Sequence, residues 1–157
     1  RRGETFVTKK IVRGLVRIKY GIDKKIYLGN LNAKRDWGHA KDYVIAMWKI
    51  LQQKKPDDFV IASGKQYSIK TFIKLVADQL DMRIKWSGKG LGTKGLNLDN
   101  NKTIIEVDKN YFRPLDVNTL LGDSSKARKQ LNWRPSINLQ LIIKEMIKAE
   151  KELINEN

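Results

Sequence analysis

Apolar residues return at helical spacing in five stretches of this chain. Over residues 8–20, Ile11, Leu15 and Ile18 share one face with Val12 and Val16 beside them. Lys9, Arg13 and Arg17 take the opposite face, and Gly21 stops the run. Residues 40–53 predict a second helix, with Tyr43, Met47, Ile50 and Leu51 as its buried stripe and Pro56 beyond its end. Ser68 caps a third helix, in which Ile69, Phe72, Ile73, Val76, Ala77 and Leu80 hold the spacing without a break. A short fourth helix starts at Asp123-Ser124 and ends near Leu131. The fifth starts at Ser136 and carries Leu139, Ile142, Ile143, Met146, Ala149 and Leu153.

Between the helices lie strand patterns of two kinds. Residues 25–29, 82–86 and 103–107 read as short strands. Residues 59–63 form a continuous apolar run stopped by Gly64, which suits a parallel strand covered on both faces. Residues 30–39 read as a polar loop. Residues 87–101, with Gly88, Gly90, Gly92 and Gly95, read as a glycine-rich surface loop. They lack the order strand, G-x-G-x-x-G, helix that would cradle a phosphate. Mixed helices and strands predict an α/β fold. Only residues 59–63 carry the buried-strand signature, and a doubly wound sheet needs several. The other parallel strands are expected outside these residues. In this reading residues 1–157 are one unit, in which about 40–63 supply a helix and a strand to a sheet completed elsewhere.

Charge changes the picture more than length does. The 157 residues hold 32 Lys+Arg against 17 Asp+Glu, a net charge of +15. Such a field attracts polyanions: nucleic acid, anionic membrane or phosphorylated small molecules. The excess is concentrated in residues 1–25, whereas the C-terminal stretch mixes Lys148 and Lys151 with Glu145, Glu150, Glu152 and Glu156. A basic nucleic-acid-binding module is therefore a rival reading. Against it, the cations are not interleaved with exposed aromatics, and no helix-turn-helix, zinc finger or ribonucleoprotein motif is present. Cys is absent and His39 is the single histidine, which argues against disulfides and thiolate or structural zinc sites. No apolar run approaches the roughly 18 residues of a membrane span, and no secretory leader is visible. A cytoplasmic protein with no membrane partner is the expectation. The start at Arg1, without Met, suggests a truncated reading frame.

The sequence holds no complete catalytic constellation. The string Tyr20-Gly21-Ile22-Asp23-Lys24 crosses the helix stop at Gly21, and His39 faces no nucleophile in a recognisable elbow. Asp36 and Asp42 are a conceivable carboxylate pair, although Asp42 falls inside the second helix. Anion binding is better supported. Lys10 lies in the first turn of the first helix, where free N–H groups already favour an anion. Arg35 precedes the second helix, and Arg113 precedes Pro114. An Arg fork grips phosphate oxygens in pairs. Trp37, at a loop–helix junction, reads as a packing residue rather than a base-stacking platform, with His39 hydrogen-bonded to backbone. Trp48, Trp86 and Trp133 also read as packing residues.

Three strings carry a family likeness. They are Arg1-Arg2-Gly3-Glu4-Thr5-Phe6-Val7-Thr8, Arg35-Asp36-Trp37-Gly38-His39 with Ala40-Lys41-Asp42-Tyr43 after it, and Tyr111-Phe112-Arg113-Pro114. Together they resemble the GDP-mannose 4,6-dehydratase family of extended short-chain dehydrogenase/reductases, over nearly the whole chain but only over that family's C-terminal half. The string Arg35-Asp36-Trp37 alone is shared with related sugar-nucleotide epimerases and dehydratases, which stand as an alternative.

The resemblance implies the C-terminal part of an extended Rossmann-like fold with its small substrate-binding domain: residues 1–157 would be the nucleotide-sugar substrate-binding portion, with about 40–63 as a returning Rossmann helix and strand and no complete Rossmann domain. Arg2 would lie against NADP. Val7 and Lys10 would contact the GDP part of GDP-mannose, and Arg35 and Arg113 its diphosphate. Asp116 stands where the family has a Glu that reaches nucleotide hydroxyls. The catalytic Tyr/Lys pair, the Ser or Thr, the Glu and the cofactor loop would all precede Arg1. The chain would thus supply a pocket for conversion to GDP-4-keto-6-deoxymannose, within a homo-oligomeric parent, without the chemistry itself.

Overall fold

The computed structural model describes residues 3, 6–112 and 117–156. Arg2, Arg113 and Asp116, expected at the site, lie outside the described residues. The elements run α1 (Val7–Lys19), β1 (Ile26–Leu28), β2 (Lys34–Asp36), α2 (Ala40–Leu51), β3 (Gln66–Ser68) and α3 (Ile69–Gln79). They continue with β4 (Ile84–Ser87), β5 (Lys94–Asn97), β6 (Lys102–Val107), α4 (Ser125–Gln130) and α5 (Leu139–Asn155).

The main core forms where α1, α3 and α5 meet. Ile11, Val12, Leu15 and Val16 of α1, Phe72, Ile73 and Val76 of α3 and Ile143 of α5 are fully buried there. Helical spacing thus places each apolar stripe as expected, and Ser68 caps α3 by accepting from Thr71 N. β1 lies under α1, at a distance only glycine allows. A Cβ on Gly14 would stand 2.2 Å from Ile26 Cγ2. The four-stranded sheet has the order β1-β6-β5-β4. β1 runs parallel to β6, with Ile26 opposite Ile105, while β4, β5 and β6 form an antiparallel meander. β2 and β3 make a separate antiparallel pair in which Arg35 stands opposite Tyr67.

Several expectations change. The loop expected at 30–39 contains β2, and that expected at 87–101 contains β5. Neither strand alternates in hydrophobicity. β2 is Lys-Arg-Asp and is held by backbone pairing and by the Asp36 carboxylate, which accepts from Ser63 N and Gly64 N. β5 is carried by its neighbours on both sides. Residues 59–63 are not a strand. Phe59 and Ile61 pack on a second, small core of Ala46, Ala127, Leu131 and Trp133, while Val60 is 55% exposed. Among the described residues no backbone hydrogen bond is made by 59–62. The apolar faces are present, but no strand lies alongside.

The stripe expected on α2 holds at Tyr43 and Ile50 and fails at Met47 and Leu51. Met47 and Leu51 are 61% and 80% exposed, whereas Asp42 and Ala46 are buried with Tyr43 and Ile50 beside them. The second core accepts only the small side of this helix, so Val44, Met47, Trp48 and Leu51 face out. Trp48 is accordingly not a packing residue. Trp133 is, and Trp37 stacks at a tilt on Phe72 with centroids 4.9 Å apart. On α5 the cap is Asn138, which accepts from Leu141 N, rather than Ser136. Ile147 and Glu150 turn inward there, while Ala149 and Leu153 are exposed. No helix among the described residues is long and apolar enough to cross a membrane.

Candidate functional site

The start of α1 makes one wall of a cleft of about 490 Å³. Its first turn carries no acidic residue, and the N-cap Phe6 offers no side-chain acceptor to the free N–H groups. That end of the helix is therefore electropositive and open to an anion. Val7 and Lys10 project from it into the cleft. The opposite wall is Leu28, Gly29 and Asn30 at the end of β1, with Ala33 and Arg35 of the β2 segment. Ile69 forms part of the floor, and Asn110 and Tyr111 close the remaining side. Val7, Lys10 and Arg35, separated by up to 28 positions in sequence, thus share one cavity.

Each cation is held from behind. Arg35 Nη1 donates to the carbonyls of Val117 at 2.6 Å and Lys34 at 2.9 Å. The 117–120 segment is itself tied to β2, since Lys34 N donates to Asn118 O and Leu120 N to Lys34 O. Lys10 Nζ lies 3.3 Å from the centroid of the Tyr111 ring. The 108–112 turn that carries this ring is pinned to β1. Asp108 N donates to Leu28 O, Tyr111 N donates to Asp108 O, and the Asp108 carboxylate accepts from Asn110 N. A Cβ on Gly29 would stand 2.1 Å from Tyr111 O, so the turn reaches the cleft only because residue 29 has none. Asn30 and Asn110 were not singled out in the sequence, and Tyr111 stood only in the string Tyr111-Phe112-Arg113-Pro114, with no role of its own. Their signal was weak, because a polar residue in a turn is ordinarily a turn former.

Other candidates resolve into structural parts. Asp36 and Asp42 do not act as a pair: one clamps the turn at 63–64, and the other is buried and accepts from Ser136 Oγ and Ile137 N. Burial pushes the Asp42 carboxyl up, but the Ser136 hydroxyl, the amides of Ile137 and Ser136 and nearby His39 outweigh it and hold it below the ordinary carboxylate value. Tyr20 and Lys24 have the Tyr-x-x-x-Lys spacing, but the helix ends at Lys19 and Gly21 takes φ +74°, so no helix presents them on one face. The glycine-rich stretch is the β4–β5 connection, with a 3-10 turn at Gly90–Gly92, and opens no helix. No group of three or more potential metal ligands occurs among the described residues.

A second cavity, of about 650 Å³, lies on the other side of α1 against α5 and the start of α2. Its walls are Trp37, Tyr43, Phe72, Leu139 and Met146. Four of its charged or titratable groups form two pairs. Lys9 bonds Glu150, so Lys9 faces α5 rather than solvent as its helical phase suggested. His39 Nδ1 accepts from Lys41 N, which leaves the Nε2 proton to be donated to Glu145 Oε2 at 2.9 Å. His39 thus caps α2, as a backbone-bonded histidine should.

Comparison with known proteins follows the same lines. The family model of GDP-mannose 4,6 dehydratase matches residues 1–146. A GDP-mannose 4,6-dehydratase of Vibrio cholerae is 48% identical over 162 residues, covering 97% of this chain and 43% of its own length. GDP-mannose 4,6 dehydratase 2 of Caenorhabditis elegans is 48% identical over 154 residues, covering 98% of this chain and 40% of its own. The chain therefore spans about two fifths of the length of the curated relatives it matches. Among solved structures, RMD from Pseudomonas aeruginosa, complexed with NADPH, superposes with a TM-score of 0.76 at 17% identity, over 97% of this chain and 44% of that one. UDP-glucose 4-epimerase of Thermotoga maritima, with UDP-glucose, superposes with a TM-score of 0.68 at 18% identity, over 97% and 41%. These likenesses show the fold, the α/β arrangement of extended short-chain dehydrogenase/reductases.

Proposed function

This chain belongs to the GDP-mannose 4,6-dehydratase family, and from that premise we propose that it forms the C-terminal, GDP-mannose-binding part of such an enzyme. The observation that carries the reading is the single cleft that gathers Val7, Lys10 and Arg35 at the uncapped start of α1. The N–H groups of the first turn, the Lys10 ammonium and the Arg35 guanidinium converge on one small volume, which suits a diphosphate. Val7 supplies an apolar surface to the nucleoside end. Arg2, Arg113 and Asp116 extend this assignment, by resemblance, to residues outside those described. The described chain enters the 113–116 stretch from beside Tyr111 in the cleft and leaves it at Val117, against Arg35.

The whole enzyme would be a lyase that turns GDP-mannose into GDP-4-keto-6-deoxymannose. NADP, by resemblance the cofactor of that reaction, would supply a temporary acceptor for the hydride. The described residues offer it no phosphate loop, because their one glycine-rich stretch joins two antiparallel strands. This chain's own work is to bind and orient the nucleotide sugar. Among the described residues the cleft holds no carboxylate or histidine to take a sugar hydroxyl proton.

Calorimetric titration of the 157-residue chain with GDP tests the reading. Arg35→Ala is expected to weaken binding by about 1.5–3 kcal/mol, the worth of a charge-assisted contact. Arg17→Ala is expected to change little, because that side chain is bonded to Asp23 outside the cleft. Failure to bind GDP, or equal losses in the two variants, overturns it. With GDP-mannose and NADP the purified chain is expected to give no 4-keto product; measurable turnover would contradict the assignment of the chemistry to residues outside this chain.

A further inference from the structure

Lys10 and Tyr111 are the two side chains common to the nucleotide cleft and to a neighbouring groove of about 390 Å³ along α1. That groove is lined by Arg13 and Arg17 of the same helix face and by Asp23, which bonds Arg17 and leaves the groove a net positive charge. The pair therefore forms the partition between a cleft with two cations and a groove with two more. A flexible lysine on this boundary could spend its time on either side. It is instead seated on the Tyr111 ring, 3.3 Å from the centroid. The ring face is a weak electrostatic seat for an ammonium, and it leaves the N–H donors on the far side of the nitrogen free for oxygen acceptors.

The seat is rigid. The 108–112 turn is bonded to β1 through Asp108 N and Leu28 O, and its backbone rests on Gly29 without room for a Cβ. The ring itself is 52% exposed, and its hydroxyl makes no hydrogen bond among the described residues. Neither core packing nor its phenol oxygen accounts for Tyr at this place, whereas the ring face is in use.

We propose that Tyr111 is a positioning residue, which holds the Lys10 ammonium at the phosphate end of the cleft and away from the cationic groove. The inference rests on the nucleotide-pocket reading and adds to it the residue that sets the lysine. Without the ring, Lys10 samples many rotamers, and binding a diphosphate must restrict them.

The test uses this chain, with GDP and guanosine as probes. Tyr111→Leu is expected to weaken GDP binding about three- to fivefold, the worth of an exposed cation–π contact, while leaving guanosine binding unchanged. Tyr111→Phe is expected to keep wild-type affinity for GDP. In a Lys10→Met background, Tyr111→Leu should cost nothing further. An upfield ring-current shift of the Lys10 ε-methylene protons should be present in the wild type and in Tyr111→Phe and lost in Tyr111→Leu, whatever the affinity. Equal loss of GDP and guanosine binding would mean a structural role and would overturn the proposal. So would additive effects of Lys10→Met and Tyr111→Leu, or the absence of the ring-current shift. If the wild type shows the shift but binds no GDP, the pocket reading fails and takes this inference with it.

Discussion

Asp42 shows how one side chain fixes two distant parts of the molecule. Its carboxylate, in the first turn of α2, accepts from Ser136 Oγ at 2.7 Å and from Ile137 N at 3.0 Å. Its own carbonyl accepts from the indole N–H of Trp133 at 2.8 Å. The folded carboxyl is held below its ordinary value, since the hydroxyl and amide donors outweigh burial. Stability from a lowered carboxylate is present above its unfolded value, about 3.9, and is lost as pH falls through the folded value. Asp42→Asn offers one carbonyl oxygen to two donors and turns an NH₂ toward one of them. It is expected to cost about 1–3 kcal/mol at pH 7, and less at about pH 3, below the unfolded value, where part of the carboxylate's contribution is already lost. Urea unfolding of both proteins at the two pH values gives the difference. An equal penalty at both would show that the carboxylate charge is not what holds residues 136–137. In sequence Asp42 looked like an ordinary first-turn acid. The partners that define it lie more than ninety positions away.

At the scale of elements, legibility followed the source of the stabilisation. α1 and α3 could be read from spacing because each buries a broad apolar face in the main core. Ser68 could be read as a cap because capping is local. β2 and β5 could not be read, because their positions are set by strands elsewhere in the chain and not by their own pattern. The buried stripe of α2 was misplaced for the opposite reason. Val44, Ile45, Met47, Trp48 and Leu51 are apolar yet exposed, so hydrophobicity alone could not say which side meets the small core. The cleft was half legible: Lys10 and Arg35 stood out as cations at element boundaries, while the ring beneath Lys10 did not. Residues 59–62 have a strand's composition without a strand's hydrogen bonds. Their amides are expected to exchange within a few-fold of unstructured peptide rates in this chain, in contrast to those of β6. Hydrogen exchange read by mass spectrometry or NMR measures this, and protection of 59–62 equal to that of β6 would refute it.

On the scale of the whole molecule, the net charge of +15 and the cleft are separate matters. Only Lys10 and Arg35 among the described cations line the cleft; many others are spent in ion pairs, such as Arg17 with Asp23, Lys25 with Glu106 and Lys126 with Asp57. What remains is a general repulsion between copies, and that bears on the bare backbone at 59–62. A row of unused amide and carbonyl groups with Phe59, Val60 and Ile61 beside it can pair with the same row on another molecule. Like charge keeps the copies apart at low ionic strength, and salt removes that protection, since screening shortens the reach of the repulsion to about 8 Å near 0.15 M. The same apolar run that gives residues 59–62 their strand-like composition is therefore expected to make the isolated chain a colloid that clumps sooner as the salt in its buffer rises.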